Sequence, residues 1–390
     1  MFSTRRHPAH KMTARMARTY RCIAIALVLL FLSAVARSYH PGTGFTALIG
    51  FPATAPNESR TLRAIPHFRA SIAGYDGQFY AQRALDPLLN DPDVDHAMDL
   101  APFRARRILF SWTAYLLGAG WPPWILEAYA LQNVFCWLII AALLTRWLSP
   151  VSARGLALWY AVLFSHGLLW SVGLALLDGP SLVLTMCAVI AVELNHPLRS
   201  AAVVGVAALG RETNVLVFLA QPIPKERSGW IRFAVAAILV ALPLLIWMDY
   251  LRSIYRSTTL VGTDSFVLIG TGLVSGWRDA LSAAHGLSAV GPASIIIALA
   301  SQAAFIFVRR DVAAPWWRVA CAYAVMLLFL DPVLAHPQTG AITRVMLPLT
   351  VGFNVLLANE PRPAPFWLWF VAGNLHLLPA FHVLPIAPWS

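Results

Sequence analysis

Long apolar runs separated by short polar breaks dominate this chain, and the breaks carry arginine, aspartate, proline and glycine. The first run, residues 22–36, is followed by a long mixed stretch and then by a short run at 108–120. That short run falls below the roughly 20 residues a helical span needs, and it ends in Trp121-Pro122-Pro123-Trp124, an interfacial aromatic and helix-breaking cluster. It reads as a re-entrant or surface helix. Runs at 124–148, 155–176, 181–194, 230–250, 287–308, 318–330, 342–357 and 365–381 read as spans. The run at 201–223 is interrupted by Gly210-Arg211-Glu212-Thr213-Asn214. Charges in mid-segment are costly in lipid, so this run reads as two half-helices meeting near one membrane face.

The pattern predicts an all-α, polytopic bundle of about eleven membrane segments forming one integral-membrane domain over 1–390. Composition excludes a soluble domain: 58% of residues are hydrophobic, 12% are charged, and mean hydropathy is +0.65. Cys22, Cys136, Cys187 and Cys321 all fall in apolar runs, with spacing that fits neither a disulfide framework nor a zinc site, and read as packing residues. The net charge of +11 comes from basic residues scattered at the ends of apolar runs, which is a topological signal and no nucleic-acid footprint.

Arg5, Arg6, Lys11, Arg15, Arg18 and Arg21 precede the first run and hold a basic N-terminus, 1–21, in the cytoplasm by the positive-inside rule. Ala34-Val35-Ala36 also resembles a signal-peptidase site, so cleavage there is the alternative. In either case 37–123 is a long outer loop carrying interfacial helices. Arg146, Arg154, Arg199, Lys225, Arg227, Arg232, Arg309, Arg310, Arg318 and Arg362 then fall inside. Asp76, Asp178, Arg211, Glu212, Asp331, His336 and Arg344 fall at or near the outer face, although they are far apart in sequence. An unbroken span at 201–223 with a full span at 108–120 would send Asp178 inside instead. A bacterial inner membrane fits an arginine-rich, lysine-poor chain without outer cysteines.

The order of one span, a long outer loop with an early acidic residue, a short surface helix, an inner arginine turn at 146–154 and a span ending in Asp178 resembles the GT-C superfamily of integral-membrane glycosyltransferases. Within it, Tyr75-Asp76-Gly77-Gln78-Phe79-Tyr80 followed by Asp86-Pro87 looks like a bacterial subgroup of unassigned acceptor. The resemblance implies a polyprenyl-phosphate sugar as donor, a glycan, lipid or protein as acceptor, and Asp76 as catalytic base. No acidic residue stands two positions from Asp76, a departure from the commoner paired-acid pattern. A divalent metal is therefore not indicated, and no other cofactor is expected.

Chemistry at the residues agrees with that expectation. Asp76 would take the acceptor proton. A departing lipid phosphate calls for cations, which bidentate arginine serves well, and the candidates are Arg107, Arg211 and Arg344. Tyr75, Gln78, Tyr80, Asp178, Glu212 and His336 are candidate substrate contacts. Each has a structural reading too. Asp76 would cap a surface helix running to Leu85; Arg104, Arg106 and Arg107 would anchor to anionic headgroups; Arg211 and Glu212 would pair within the broken segment; Asp178-Gly179-Pro180, Asp331-Pro332 and His336-Pro337 would be turns; and Arg344 would snorkel. Asp91-Pro92-Asp93-Val94-Asp95 has the look of a calcium loop but lacks the EF-hand glycine and closing glutamate, which favours a solvated acidic turn. Asn57-Glu58-Ser59 matches a glycosylation sequon. The stretch 251–286 is either a lid or a connector. The competing functions are a lipid-linked oligosaccharide polymerase, a transporter of a lipid-linked saccharide and a scaffold without catalysis.

Overall fold

The computed structural model describes residues 14–54, 57–70, 74–224, 226–256, 267–283, 286–336 and 340–383. Most of the predicted cytoplasmic arm (1–13), Lys225, much of the 251–286 connector (257–266 and 284–285) and Pro337 lie outside the described residues.

The fold is helical throughout, with one two-residue parallel strand pair, β1 (Phe51–Pro52) and β2 (Arg69–Ala70), among the described residues. Helix α1 spans Ala14–Ala36. The stretch after it holds a 3-10 turn (Thr46–Ile49), α2 (Arg60–Arg63), α3 (Asp76–Leu85), α4 (Pro92–His96), α5 (Ala101–Ala105) and α6 (Leu109–Leu117). The remainder comprises α7 (Pro122–Leu144), α8 (Ala153–Leu163), α9 (His166–Gly173), α10 (Asp178–Glu193), α11 (Pro197–Ala208), a 3-10 helix (Glu212–Ala220) and α12 (Arg227–Tyr255). It continues with α13 (Thr271–Ala283), α14 (Val290–Val308), α15 (Pro315–Leu327), α16 (Pro332–Ala335), α17 (Ala341–Val345), α18 (Leu347–Leu357), α19 (Pro363–Gly373) and α20 (Leu377–Ala380).

By length and hydropathy, four helices among the described residues suffice to cross a membrane: α1, α7, α12 and α14. The number is six if two bent pairs each form one span, α8 with α9 at 44° and α19 with the turns from Leu377 to Val383 at 53°. The other expected spans are shorter, at 16 residues for α10, 13 for α15 and 11 for α18, against the roughly 20 that the hydrocarbon thickness asks for. The short run at 108–120 forms a helix of 9 residues, α6, as its length predicts. The run at 201–223 is broken where the charges stand. Helix α11 ends at Ala208, Arg211 is extended (φ −160°, ψ 124°), and Asn214 Nδ2 donates to Ala207 O at 2.8 Å, a carbonyl that also accepts from Gly210 N and Arg211 N, so the break is tied to the helix end. The second half is a 3-10 helix, a tighter winding than the expected α-helix.

One apolar core runs from Phe31 of α1 through Leu48, Phe51 and Leu62 of the loop to Trp137, Trp316 and Phe366 of the bundle, so loop and bundle share a single interior. Phe31 stacks on Trp137 at 3.7 Å, and cleavage after Ala36 would strip that ring away. Helices α11 and α12 approach backbone to backbone at Gly205, where an added methyl would lie 2.3 Å from Leu239 O. Cys22 is exposed on α1, which corrects its reading as a packing residue; the other three cysteines are partly buried.

The loop's polar clusters are structural. Glu58, within the sequon, is buried against Arg69 (2.7 Å) and His67 (3.1 Å), and Ser59 caps α2. The acidic run at 91–95 is paired, which corrects both the calcium-loop and the solvated-turn readings. Asp91 caps α4, Asp93 accepts from Arg60 N at 2.5 Å, and Asp95 meets Arg83 and the Tyr255 hydroxyl (2.9 Å). At one end of the bundle Arg146 meets Glu193 at 2.8 Å, Arg154 donates to Glu360 O at 3.1 Å, and Glu360 binds Arg309 (3.2 Å) and Arg362 (3.0 Å). Arginines that the charge pattern assigns to one side thus meet at one end.

Candidate functional site

The opposite end holds a cavity of ≈ 360 Å³ between the loop helices and the bundle. Asp76 lies on its wall at the first position of α3, where the helix dipole favours a carboxylate. The N-cap is Tyr75, which corrects the reading of Asp76 as the cap. Gly77 seats this end of α3 on the bundle: an added methyl would lie 2.1 Å from Leu174 O, so only glycine allows the approach. Asp178 opens α10 across the cavity. The link before it turns through Ala175 at φ +45° and is held by buried polar contacts, Asn133 Nδ2 to Leu176 O and Gly179 N to Ser171 Oγ, each 2.8 Å. Gly167 places α9 against the Thr343 carbonyl (2.3 Å to an added methyl), which brings Arg344 on α17 to the same space.

Five arginines line the cavity, Arg104, Arg106, Arg107, Arg211 and Arg344, against three carboxylates, Asp76, Asp178 and Glu212. The walls carry an excess of two positive charges. Arg104 joins Asp76 (2.9 Å) to Asp99 (2.6 Å). Arg106 and Arg107 share Glu212 at 3.3 and 3.0 Å. Asp178, only 4% exposed, takes Arg344 Nη1 at 3.0 Å on one oxygen and Arg211 on the other. The Tyr80 hydroxyl accepts from Arg104 (3.4 Å) and Arg107 (3.3 Å), while the Tyr75 hydroxyl accepts from Arg344 Nη2 at 2.9 Å. Leu330, Leu334, Ala341 and Val345 make the facing wall apolar.

No family model, curated protein or solved structure matches this chain.

Burial pushes the Asp76 carboxyl up, but Arg104, Arg344 and Arg107 outweigh it and hold the group below its ordinary value. Burial raises the Tyr75 phenol despite Arg344, which keeps it neutral at pH 7. Burial lowers Arg106 beyond what Glu212 restores, whereas for Arg107 Glu212 and Tyr80 overcome the burial penalty and raise it.

Of the residues expected at the site, Asp76, Tyr80, Arg107, Asp178, Arg211, Glu212 and Arg344 line one cavity, and Tyr75 reaches it through Arg344. Two expected residues lie off the cavity wall. Gln78 is buried and folds back over Gly74, because the second residue after Asp76 on a helix faces away from it. His336 ends α16, whose carbonyl-side turn carries it off the cavity wall, and Asp331 caps that helix by accepting from Val333 N and Leu334 N. The Arg344 guanidinium does not snorkel: all three nitrogens already meet protein acceptors, namely Gly340 O, Asp178 and Tyr75. Among the described residues no group of three or more His, Cys, Asp or Glu is placed to hold a metal. Sequence reasoning assigned no site role to Phe103, Arg104, Arg106 or Asp99. The available signal was the spacing of Phe103 with Arg106 and Arg107, three and four residues on, which puts them on one helical face.

Proposed function

We propose that this protein is a membrane glycosyltransferase of GT-C type that moves a sugar from a polyprenyl-phosphate donor to an acceptor hydroxyl, with Asp76 as general base. The observation that carries this reading is the cavity itself. It sets three carboxylates, Asp76 among them, an arginine wall with surplus positive charge and an apolar wall within a single space, which suits an amphiphile with an anionic head. In the reaction the acceptor oxygen attacks the anomeric carbon and its proton passes to Asp76. The bond from that carbon to the phosphate oxygen breaks, and the lipid phosphate leaves with the electron pair. A single displacement inverts the anomeric centre. Asp76, held ionised by arginines, is a weak base at neutral pH, so the proton moves late, when the bond to the donor is already breaking. The arginines stabilise the charge that grows on the leaving phosphate.

The finer topology belongs to the same proposal. Four to six helices among the described residues are long and apolar enough to cross by themselves, and in this proposal the shorter helices complete about eleven passes. The N-terminus is cytoplasmic, and the cavity opens at the outer face of a bacterial inner membrane.

The test is transfer from labelled polyprenyl-phosphate sugars in membranes holding matched amounts of wild type and Asp76→Asn. Transfer by the wild type and its loss in the variant is the expected result. Equal transfer by both removes Asp76 from the chemistry, and no transfer by either across a broad donor panel counts against a transferase.

A further inference from the structure

Phe103 stands on the cavity wall with three guanidinium carbons near its ring, Arg106 at 4.6 Å, Arg107 at 4.7 Å and Arg104 at 5.5 Å from the centroid. Three like charges within four residues repel one another, and the ring's negative face offsets part of that repulsion. An aromatic face also differs from a carboxylate in what it consumes. It holds a guanidinium without accepting a hydrogen bond, so the N–H groups stay available to a ligand.

The donor inventory locates where a ligand would be held. Arg104 spends its nitrogens on Asp76, Asp99 and Tyr80. Arg344 spends its own on Gly340, Asp178 and Tyr75, while Arg211 meets Asp178 through Nη1 alone, its buried Nε and its Nη2 finding no protein acceptor among the described residues. Arg107 gives Nε to Glu212 and Nη1 to Tyr80, leaving Nη2 without a protein acceptor among the described residues. Arg106 approaches Glu212 through Nε alone, and both of its Nη groups are uncommitted there. Uncommitted N–H groups of the arginine wall thus lie on Arg106, Arg107 and Arg211, and the first two stand side by side against Phe103, while the Arg211 guanidinium is turned to the buried Asp178.

The geometry points to Arg106 and Arg107 as the phosphate-binding pair of this cavity, and to Phe103 as the positioning residue that presents them. This rests on the transferase reading for the identity of the ligand, a lipid-linked phosphate, but binding of the anion can be read without any transfer.

Inorganic pyrophosphate is the probe, titrated by calorimetry into full-length protein in detergent and in nanodiscs. Phe103→Leu keeps an apolar side chain but loses the ring, and a loss of about tenfold in affinity is expected. Phe103→Trp, which keeps a π face, should stay within about threefold of wild type. Paired Arg106→Gln and Arg107→Gln variants should each lose affinity, and Arg344→Lys should lose less than either. A melting measurement on each variant checks folding. Unchanged affinity in a folded Phe103→Leu overturns the positioning role, as does a Trp variant no better than Leu, which would make the residue mere packing. If the wild type binds pyrophosphate but Arg106 and Arg107 are silent, the anion subsite lies elsewhere and the transferase reading stands. If the wild type binds none, this proposal fails, and the separate transfer assay decides the function.

Discussion

Asp178→Asn is the most informative single substitution for the architecture of the site. The side chain keeps its shape and loses its charge, while Arg211 and Arg344, with side chains 14% and 8% exposed, remain buried without their common counter-ion. Removing one partner of a buried ion pair costs ~3–5 kcal/mol, because the abandoned charge has lost its water as well as its partner. That is roughly two to nearly four powers of ten in the folding equilibrium. The assay is reversible unfolding of the purified protein in mixed micelles, followed by tryptophan fluorescence, as a double-mutant cycle with Arg344→Met. A coupling above about 1 kcal/mol is expected. The same substitution frees two guanidiniums, so pyrophosphate should bind more tightly even as stability falls. A variant that unfolds within about 0.5 kcal/mol of wild type, the range of ordinary surface changes, would refute the reasoning.

Two further outcomes are expected. The Asp76 carboxyl is held below its ordinary value, so the stability it contributes is complete above an unfolded-state pKa near 3.9 and is lost as pH falls through the lower folded-state value. The stability difference between wild type and Asp76→Asn should then be flat from about pH 8 to 5; an acid limb centred near pH 6 would contradict it. Gly77→Ala places a methyl 2.1 Å from Leu174 O, which must push α3 and Asp76 off the bundle. It should cost ~1–3 kcal/mol and most of the transfer activity, and a variant with an unchanged melt and rate sinks the account of this contact.

Hydropathy and charge exposed the coarse architecture because both are one-dimensional signals. The charged break at 210–214 and the arginine turns at the run ends pointed to two poles, and the chain brings Asp76, Asp178, Arg211 and Arg344 to one of them. Helix length was less legible. Helix α10 ends before Asn195 at φ +59°, α11 before Gly210 and α18 before Pro361, each short of a full crossing, and a hydropathy run continues through such stops. The site role of Phe103, Arg104 and Arg106 was hidden for a different reason. An arginine cluster after a phenylalanine reads equally as a headgroup anchor, and only the fold shows that Glu212, over a hundred positions away, closes over it. The acidic run at 91–95 misled in the same way, since Arg83 and Tyr255 come from other parts of the chain.

Helix α12 presents most of its apolar surface outward and contains Pro243, yet its last turns are fastened to the loop: Trp247 Nε1 donates to Ala105 O at 2.9 Å, Tyr250 to Leu88 O at 2.7 Å and Tyr255 to Asp95. Ala105 sits between Arg104 and Arg106. A helix that tilts to match the hydrocarbon thickness around it therefore acts as a lever on the backbone of the arginine wall. Bilayer thickness thereby becomes a mechanical input to the arginine-lined cavity, and anion binding by the same protein in short-chain and long-chain lipids is expected to differ.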